Sequence, residues 1–220
     1  MSNPVAAARA DGPRSRQPRG PVLRERILEA ARVTFLAEGF EASMDAVAAA
    51  AGTTKATVYK HFGNKQALFI AVIGSELDRA LDEPARLVVS HLALASDLRE
   101  SLVAACRAWV AGIAAADMIG LRNLVVGEAR RFPELGEAWR ERGPRRFHPV
   151  SAEALRRLTE QRRLSIHDID LAVLQLSGLV VSPNLVYGGY GDPVDAKTRD
   201  RLITSGVDMF VNQYQYRANA

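Results

Sequence analysis

Residues 43–62 have the sequence SMDAVAAAAGTTKATVYKHF, which predicts two short helices joined by a turn at Gly52. The first helix has one apolar face with helical spacing, formed by Met44, Val47, Ala48 and Ala51. Ser43 precedes this face and has the hydroxyl of a typical N-cap. A glycine directly after the last apolar residue ends a helix most easily, because it adopts the left-handed conformation without strain.

The second helix of this pair combines an apolar side with a polar side. Either Thr53 or Thr54 is expected to be its N-cap. Val58 and Phe62 are four residues apart and point toward the core. The opposite side carries one small residue among hydroxyl and ammonium groups, namely Ala56, Thr57, Tyr59 and Lys60. A small side chain allows close approach, and the polar groups match phosphates and base edges, so this helix is typical of one that enters a DNA groove.

A third amphipathic helix is predicted before this pair. Its apolar face consists of Ile27, Leu28, Ala31, Phe35 and Leu36, and Gly39 follows it. Three short helices with such faces form a compact helix-turn-helix unit. An ordinary helical hairpin with a solvated polar face has the same spacing, so the composition of the second helix and its basic surroundings favour DNA binding.

The formal charge of the chain is concentrated around this unit. Residues 1–75 contain ten Lys and Arg against six Asp and Glu, a net +4, whereas residues 76–220 contain nineteen of each. Basic residues supply the salt-dependent part of DNA affinity because they displace counterions from phosphates. The charge distribution therefore favours a DNA partner for the N-terminal third.

Residues 1–21 are rich in Pro, Gly and Ala and contain Arg9, Arg14, Arg16 and Arg19. This composition predicts a disordered basic arm. Two interpretations remain open: the arm contacts the DNA backbone or minor groove, or it only increases solubility.

Composition excludes several other classes. The chain has 220 residues and 48% hydrophobic residues, which suits one or two globular domains. No run of about 18 apolar residues occurs, so no membrane span is expected. The N-terminal residues lack the apolar segment of a secretory signal, and a cytoplasmic protein is expected. Cys106, the single cysteine, has the apolar neighbours of a buried residue.

Helical periodicity continues through the rest of the chain, and strand patterns are absent. The predicted fold class is all-α, with a helix-turn-helix domain at 22–70 and a larger helical domain at 71–220. In the larger domain Pro84 is expected to open a new segment, Pro133 to end a helix at 118–131, and Pro183 to kink the penultimate helix. Further helical segments are expected at 97–116, 144–164, 168–187 and 195–216.

Two other functions are alternatives to DNA binding. An enzyme is disfavoured because HExxH, GxSxG, Walker A and paired-cysteine motifs are missing, and the four histidines, His61, His91, His148 and His167, are scattered. No catalytic residue, metal site or cofactor is predicted. The second rival is a helical interaction module whose N-terminal surface binds an acidic partner instead of DNA.

Residues 22–70 resemble the N-terminal domain of TetR-type transcriptional regulators. The matching strings are ILEAARVTFLAEGF, SMDAVAAAAG, TTKATVYKHF and GNKQALF, which occur in the family's order. The string EARRFPEL at 128–135 is similar to one in the AefR-like subset. The sequence departs from the family where Ala42 leads directly to Ser43, without the usual extra residue, and where Thr53-Thr54 replaces an apolar residue followed by Ser.

The resemblance implies a homodimer that places residues 54–61 of each subunit in a major groove of a palindromic double-stranded operator. Ala56 and Thr57 would lie nearest the base edges, and Lys55 and Lys60 are candidate contacts to guanine. The full set of implied DNA-binding residues is Ser43, Thr53, Thr54, Lys55, Ala56, Thr57, Tyr59, Lys60, His61 and Lys65.

The resemblance also implies dimerisation through the last two helices and a pocket for a small apolar or amphipathic organic effector. Repression is the expected mode. The pocket candidates are Trp109, Ile113, Met118, Leu121, Arg122, Val125, Phe132, Trp139, Phe147 and His148. Each apolar candidate has a core-packing alternative, and Arg122 has an ion pair with Glu128 as its alternative.

Overall fold

The computed structural model describes residues 20–90, 92 and 96–215, which form eleven α-helices and no β-strand. The predicted all-α class is confirmed. The helices are α1 (Pro21–Glu38), α2 (Met44–Ala50), α3 (Lys55–Phe62), α4 (Lys65–Ser90), α5 (Leu98–Ile113), α6 (Ala116–Glu128), α7 (Pro133–Arg142), α8 (Pro144–Glu160), α9 (Ile169–Val180), α10 (Ser182–Gly189) and α11 (Ala196–Tyr214). The predicted basic arm lies outside the described residues except for Gly20 and Pro21, and Pro21 already belongs to α1.

Helices α1 to α3 pack around a small core that the first turns of α4 complete. Its fully buried side chains include Ile27, Phe35, Val47, Val58 and Phe69. The rings of Phe35 and Phe69 meet edge to face with centroids 4.9 Å apart, a favoured aromatic geometry. The expected domain boundary after residue 70 lies inside α4, which continues unbroken for 26 residues. The helix-turn-helix unit, formed by α1 to α3 and the first turns of α4, therefore shares one helix with the rest of the chain.

The prediction that Pro84 opens a new segment is wrong, because α4 passes through it. Proline has no N–H and leaves the carbonyl of the residue four positions earlier, Ala80, without its helical partner. Helix α5 approaches at this carbonyl through Gly112. A Cβ atom added at Gly112 would contact the Ala80 oxygen and lie 2.9 Å from the Ala80 Cα. Helix α5 therefore packs closely on the turn of α4 that precedes Pro84, and only a glycine fits at position 112.

Two other prolines behave differently from each other. Pro133 was expected to end the helix at 118–131, but α6 ends at Glu128 and Pro133 is the first residue of α7. Helix α7 was not predicted. Its apolar periodicity is weak because Leu135 is its only buried residue. Pro183 fulfils its prediction: it lies in the first turn of α10, which is bent by 46° from α9.

The larger part of the chain packs around the second half of α4. Helices α5, α7 and α8 contact α4, while α11 packs against α5 and α9. Fully or almost fully buried side chains form this core, among them Val110, Leu121, Leu158, Val180, Val207 and Phe210. No single helix in the described ranges has both the length and the apolar composition to cross a membrane, although two bent pairs, α5–α6 and α9–α10, reach both together.

Candidate nucleic-acid interface and effector cavity

Helix α2 is fixed by hydrogen bonds at both of its ends. Ser43 Oγ accepts a hydrogen bond from the Ala46 N–H at 3.0 Å and caps α2. At the other end of α2 the backbone of Gly52 has φ +60°, the left-handed conformation predicted for this residue. The Arg26 guanidinium of α1 donates to the Ala51 carbonyl at 2.6 Å. These contacts set the direction in which the chain enters α3.

Thr54, and not Thr53, is the N-cap of α3. Its Oγ1 accepts a hydrogen bond from the Thr57 N–H at 3.3 Å and lies 2.9 Å from the Thr57 hydroxyl oxygen. Val58, on the inner side of α3, is fully buried. With the helix capped at its start and anchored at its middle, the outward side chains have a fixed frame.

The outward side chains of α3 form one continuous polar surface, called here the α3 surface, that consists of Lys55, Ala56, Tyr59, Lys60 and His61. All five residues are exposed, and 41% of Tyr59 is accessible to solvent. Ser43 and Thr54 are also exposed, whereas Thr53, Thr57 and Lys65 are partly buried. Of the ten residues implied by the family resemblance, seven are thus exposed and three are partly buried.

The cations near this surface are not equivalent. Lys55 Nζ lies 2.7 Å from Asp45 Oδ2 on α2, and this hydrogen bond raises the pKa of Lys55. Lys65 Nζ lies 3.8 Å from Glu41 and 5.0 Å from the ring centroid of Phe40. Lys60 forms no ion pair with any residue in the described ranges. The charge of Lys60 is therefore directly available to a phosphate, while Lys55 is held by a neighbouring acid.

A second set of contacts connects the helix-turn-helix unit to α6 and to the segment between α6 and α7. Glu41 accepts a hydrogen bond from Arg131 at 2.9 Å, and the Phe40 ring lies 5.2 Å from the Phe132 ring. Arg32 of α1 forms an ion pair with Asp117 of α6. Phe132, expected at the effector, is thus a contact between the two parts of the chain.

Five of the predicted effector residues line one cavity of about 100 Å³ in the larger part. This aromatic cavity is lined by Trp109, Ile113, Trp139, Phe147 and His148, together with Leu77, Leu81, Gly143, Pro144, Ser177, Val181 and Leu185. The second group was missed because its apolar members have the helical spacing of ordinary core residues, and which core residues border a space depends on distant packing. Burial lowers the pKa of the His148 imidazole, which favours its neutral form.

The other predicted effector residues lie elsewhere. Met118, Leu121 and Val125 are buried on α6 in the general core, outside the lining of the aromatic cavity. Arg122 is partly exposed and forms no ion pair with Glu128 or another described residue; its guanidinium lies near Gly189 of α10. For the α6 residues, packing explains the apolar pattern.

Sequence comparison identifies both parts of the chain. The profile of bacterial regulatory proteins of the tetR family matches residues 27–72. The profile of the C-terminal domain of AefR-like transcriptional repressors matches residues 100–216. Comparison with curated proteins gives no match.

Solved structures share the whole architecture. A TetR-family transcriptional regulator from Mesorhizobium loti MAFF303099 has 27% identity and a TM-score of 0.84, with 90% of this chain and 100% of that chain covered. The Flavonoid-responsive Regulator FrrA has 28% identity and a TM-score of 0.73 at the same coverage. A transcriptional regulator from Saccharomonospora viridis in complex with choline has 20% identity, a TM-score of 0.67 and the same coverage, and shares the fold.

The two matching profiles cover the α3 surface and all the lining residues of the aromatic cavity except Leu77 and Leu81 of α4. The C-terminal profile alone spans more than half of the chain. The chain therefore belongs to the TetR family of bacterial transcriptional regulators and is a DNA-binding regulator.

Proposed function

We propose that this regulator is a repressor that binds a palindromic operator as a homodimer and is released from it by a small organic effector. The observation that supports DNA recognition most directly is the α3 surface, whose polar side chains point outward from a capped helix on a fully buried core. An α-helix with its side chains is about 10–12 Å across, which matches the width of the major groove, about 12 Å.

The side chains of α3 divide into two groups with different tasks. Ala56 and Thr57 face the base edges, because their small size lets the helix backbone come close to the groove floor. The phosphates are bound by Lys55, Tyr59, Lys60 and His61, together with Lys65 at the start of α4. Ser43, Thr53 and Thr54 lie at the helix N-termini, where hydroxyls and free N–H groups also favour phosphates.

Exposed apolar side chains on the last helices support the homodimer. Leu171 and Leu174 on α9 are 46% and 57% exposed, and Met209 on α11 is 58% exposed. Since α9 and α11 pack against each other, two copies can join these surfaces as a four-helix bundle. A two-fold dimer presents two copies of α3 to half-sites about 34 Å apart.

Two helices connect the aromatic cavity to the helix-turn-helix unit, which is called the DNA-binding unit from here on. Helix α4 lines the cavity with Leu77 and Leu81 and packs into the DNA-binding unit through Phe69. Helix α7 lines the cavity with Trp139 and begins next to Phe132, which contacts Phe40. An effector that shifts either helix changes the separation of the two α3 helices and lowers operator affinity, with a coupling of about 1–3 kcal/mol. The neighbours described as flavonoid-responsive and as a choline complex support an organic effector.

The first test is the selection and sequencing of DNA fragments bound by the purified protein. We expect an inverted repeat, because a two-fold dimer reads two equivalent half-sites. A single asymmetric site would contradict the homodimeric mode of binding. Loss of operator affinity on addition of an effector then tests release, and a compound that binds the protein and leaves operator affinity unchanged argues against that step.

The second test removes Lys55 and Lys60 together by substitution with Ala. The logarithm of operator affinity falls linearly with the logarithm of salt concentration, and each lysine at a phosphate contributes about −1 to that slope. The slope should therefore become less negative by about four for the dimer, which loses four lysines. The matched control is Arg130→Ala with Lys197→Ala, two exposed cations outside the DNA-binding unit. Unchanged affinity and salt slope in the first variant would contradict the assignment of the α3 surface and favour the acidic-partner module.

A further inference from the structure

The aromatic cavity has a smaller neighbour behind the rings of Trp109 and Phe147. This second cavity measures about 30 Å³ and is lined by Leu102, Cys106 and Leu176, among others. Trp109 and Phe147 line both cavities, and their ring centroids are 4.7 Å apart. The contact between these two rings is therefore the partition between the two spaces.

Neither space is large enough for an organic effector while the ring contact persists. The aromatic cavity measures about 100 Å³ and the second cavity about 30 Å³. Pockets for organic ligands measure about 300–1,000 Å³. The side chains between the two cavities must move before a ligand fits.

The lining of the aromatic cavity defines the ligand chemistry. Three aromatic rings face it, from Trp109, Trp139 and Phe147, and its other described side chains are mainly aliphatic. None of the lining side chains is a carboxylate, a lysine or an arginine, and the polar groups are His148 and Ser177. A charged ligand would lose its hydration without gaining an ionic partner, which is unfavourable in an apolar environment.

We propose that the effector is an uncharged, planar aromatic compound that inserts between Trp109 and Phe147 and joins the two cavities into one. Insertion replaces one ring contact with two of the same kind, so the aromatic packing is kept. The hydroxyl or carbonyl of such a compound finds hydrogen-bond partners in His148 and Ser177. The proposal rests on the effector response proposed above and adds the ligand class and the side chains that separate.

The position of Phe147 explains how insertion reaches the DNA-binding unit. Phe147 lies in the first turn of α8, and Gly143 is the single residue between α7 and α8. Displacement of Phe147 therefore acts on the joint of these helices, and α7 begins at the Phe132–Phe40 contact. A ligand between the rings pushes on a helix pair that touches the DNA-binding unit directly.

The test compares three probes with the same ring system and different charge: 2-naphthol, 2-naphthoate and 2-naphthylmethylammonium. Isothermal titration calorimetry on the full-length protein at pH 7 should show 2-naphthol binding at least tenfold tighter than either ion. Equal or tighter binding of an ion, or no binding of 2-naphthol, overturns the ligand class. Operator binding without probe is measured in parallel, so a failure here is distinguished from a failure of the regulator function.

Variants test the place of insertion. Phe147→Leu keeps apolar bulk but removes the ring and should weaken 2-naphthol binding at least fivefold. Phe210→Leu changes a buried ring on α11 that lines neither cavity and should leave 2-naphthol binding unchanged. The chain contains two tryptophans and both line the cavity. In Trp139→Phe the remaining fluorescence comes from Trp109 and should be quenched by 2-naphthol. Equal probe affinity in both leucine variants, with operator binding retained, or an unquenched Trp109, contradicts insertion at these rings.

Discussion

The α3 surface and the aromatic cavity differ in how far each is formed before its partner arrives. On α3 the side chains are exposed on a helix that Thr54 caps and Val58 anchors, so DNA meets a surface already in place. In the aromatic cavity most of the lining side chains are buried, and the rings of Trp109 and Phe147 fill the space a ligand needs. The difference indicates that DNA recognition depends on a rigid frame, whereas effector recognition depends on movement within the larger part.

The largest effect is expected at the rigid contact of α4 with α5, which holds two sides of the aromatic cavity. Gly112→Ala places a methyl group against the Ala80 backbone, which cannot rotate away. We expect the free energy of unfolding to fall by about 2–3 kcal/mol in urea titrations, since the helices must separate. Gly127→Ala is the control: this α6 glycine has open space around it, and alanine should stabilise the helix by up to about 1 kcal/mol.

If both glycine variants unfold at the same urea concentration, α4 and α5 adjust to each other easily. The helices around the cavity would then move as easily as its rings, and the difference in rigidity between the cavity and the DNA-binding unit would be larger than proposed.

The frame of the α3 surface is tested by the two adjacent threonines before α3. Thr54→Ala removes the cap and should lower the free energy of unfolding by about 1 kcal/mol, as for other N-caps. Thr53→Ala removes the same atoms from the neighbouring position and should have a smaller effect on stability. Thermal unfolding without DNA measures both, so contributions from phosphate contacts do not enter. Equal losses in the two variants would mean that the cap does not fix α3.

The same contrast explains what the sequence could predict. The DNA-binding helices were predictable because their determinants are local: the spacing of apolar residues in α2, the stop at Gly52 and the polar composition of α3. Pro84 misled because a proline alone does not decide whether a helix ends, and the packing of α4 against α5, α7 and α8 is not visible in the local sequence. The cavity was predicted in part, since aromatic residues are frequent in pockets. Its full lining depends on how six helices meet, which no local pattern records.

A more modest effect is expected from the acid that holds Lys55. Asp45→Asn frees the Lys55 ammonium and removes a negative charge next to the DNA-facing helix. Operator affinity, measured by fluorescence anisotropy, should rise about three- to tenfold at low salt, because exposed ion pairs are weak and like charges slow association. Glu134→Gln on α7 is the control, because it also removes one negative charge but lies outside the DNA-binding unit. If it raises affinity equally, net charge and not Lys55 is responsible.

The smallest functional effect is expected from thiol reagents at Cys106, which lines the second cavity. Burial raises the pKa of its thiol to about 12. The reactive form is the thiolate, so between pH 7 and pH 9 the folded protein should react slowly with an aromatic disulfide reagent and keep its operator affinity. In urea the pKa returns to its usual range and the reaction should become fast. Rapid labelling of the folded protein at pH 8 would show that the second cavity opens to solvent without a ligand, in which case the Trp109–Phe147 contact is no barrier.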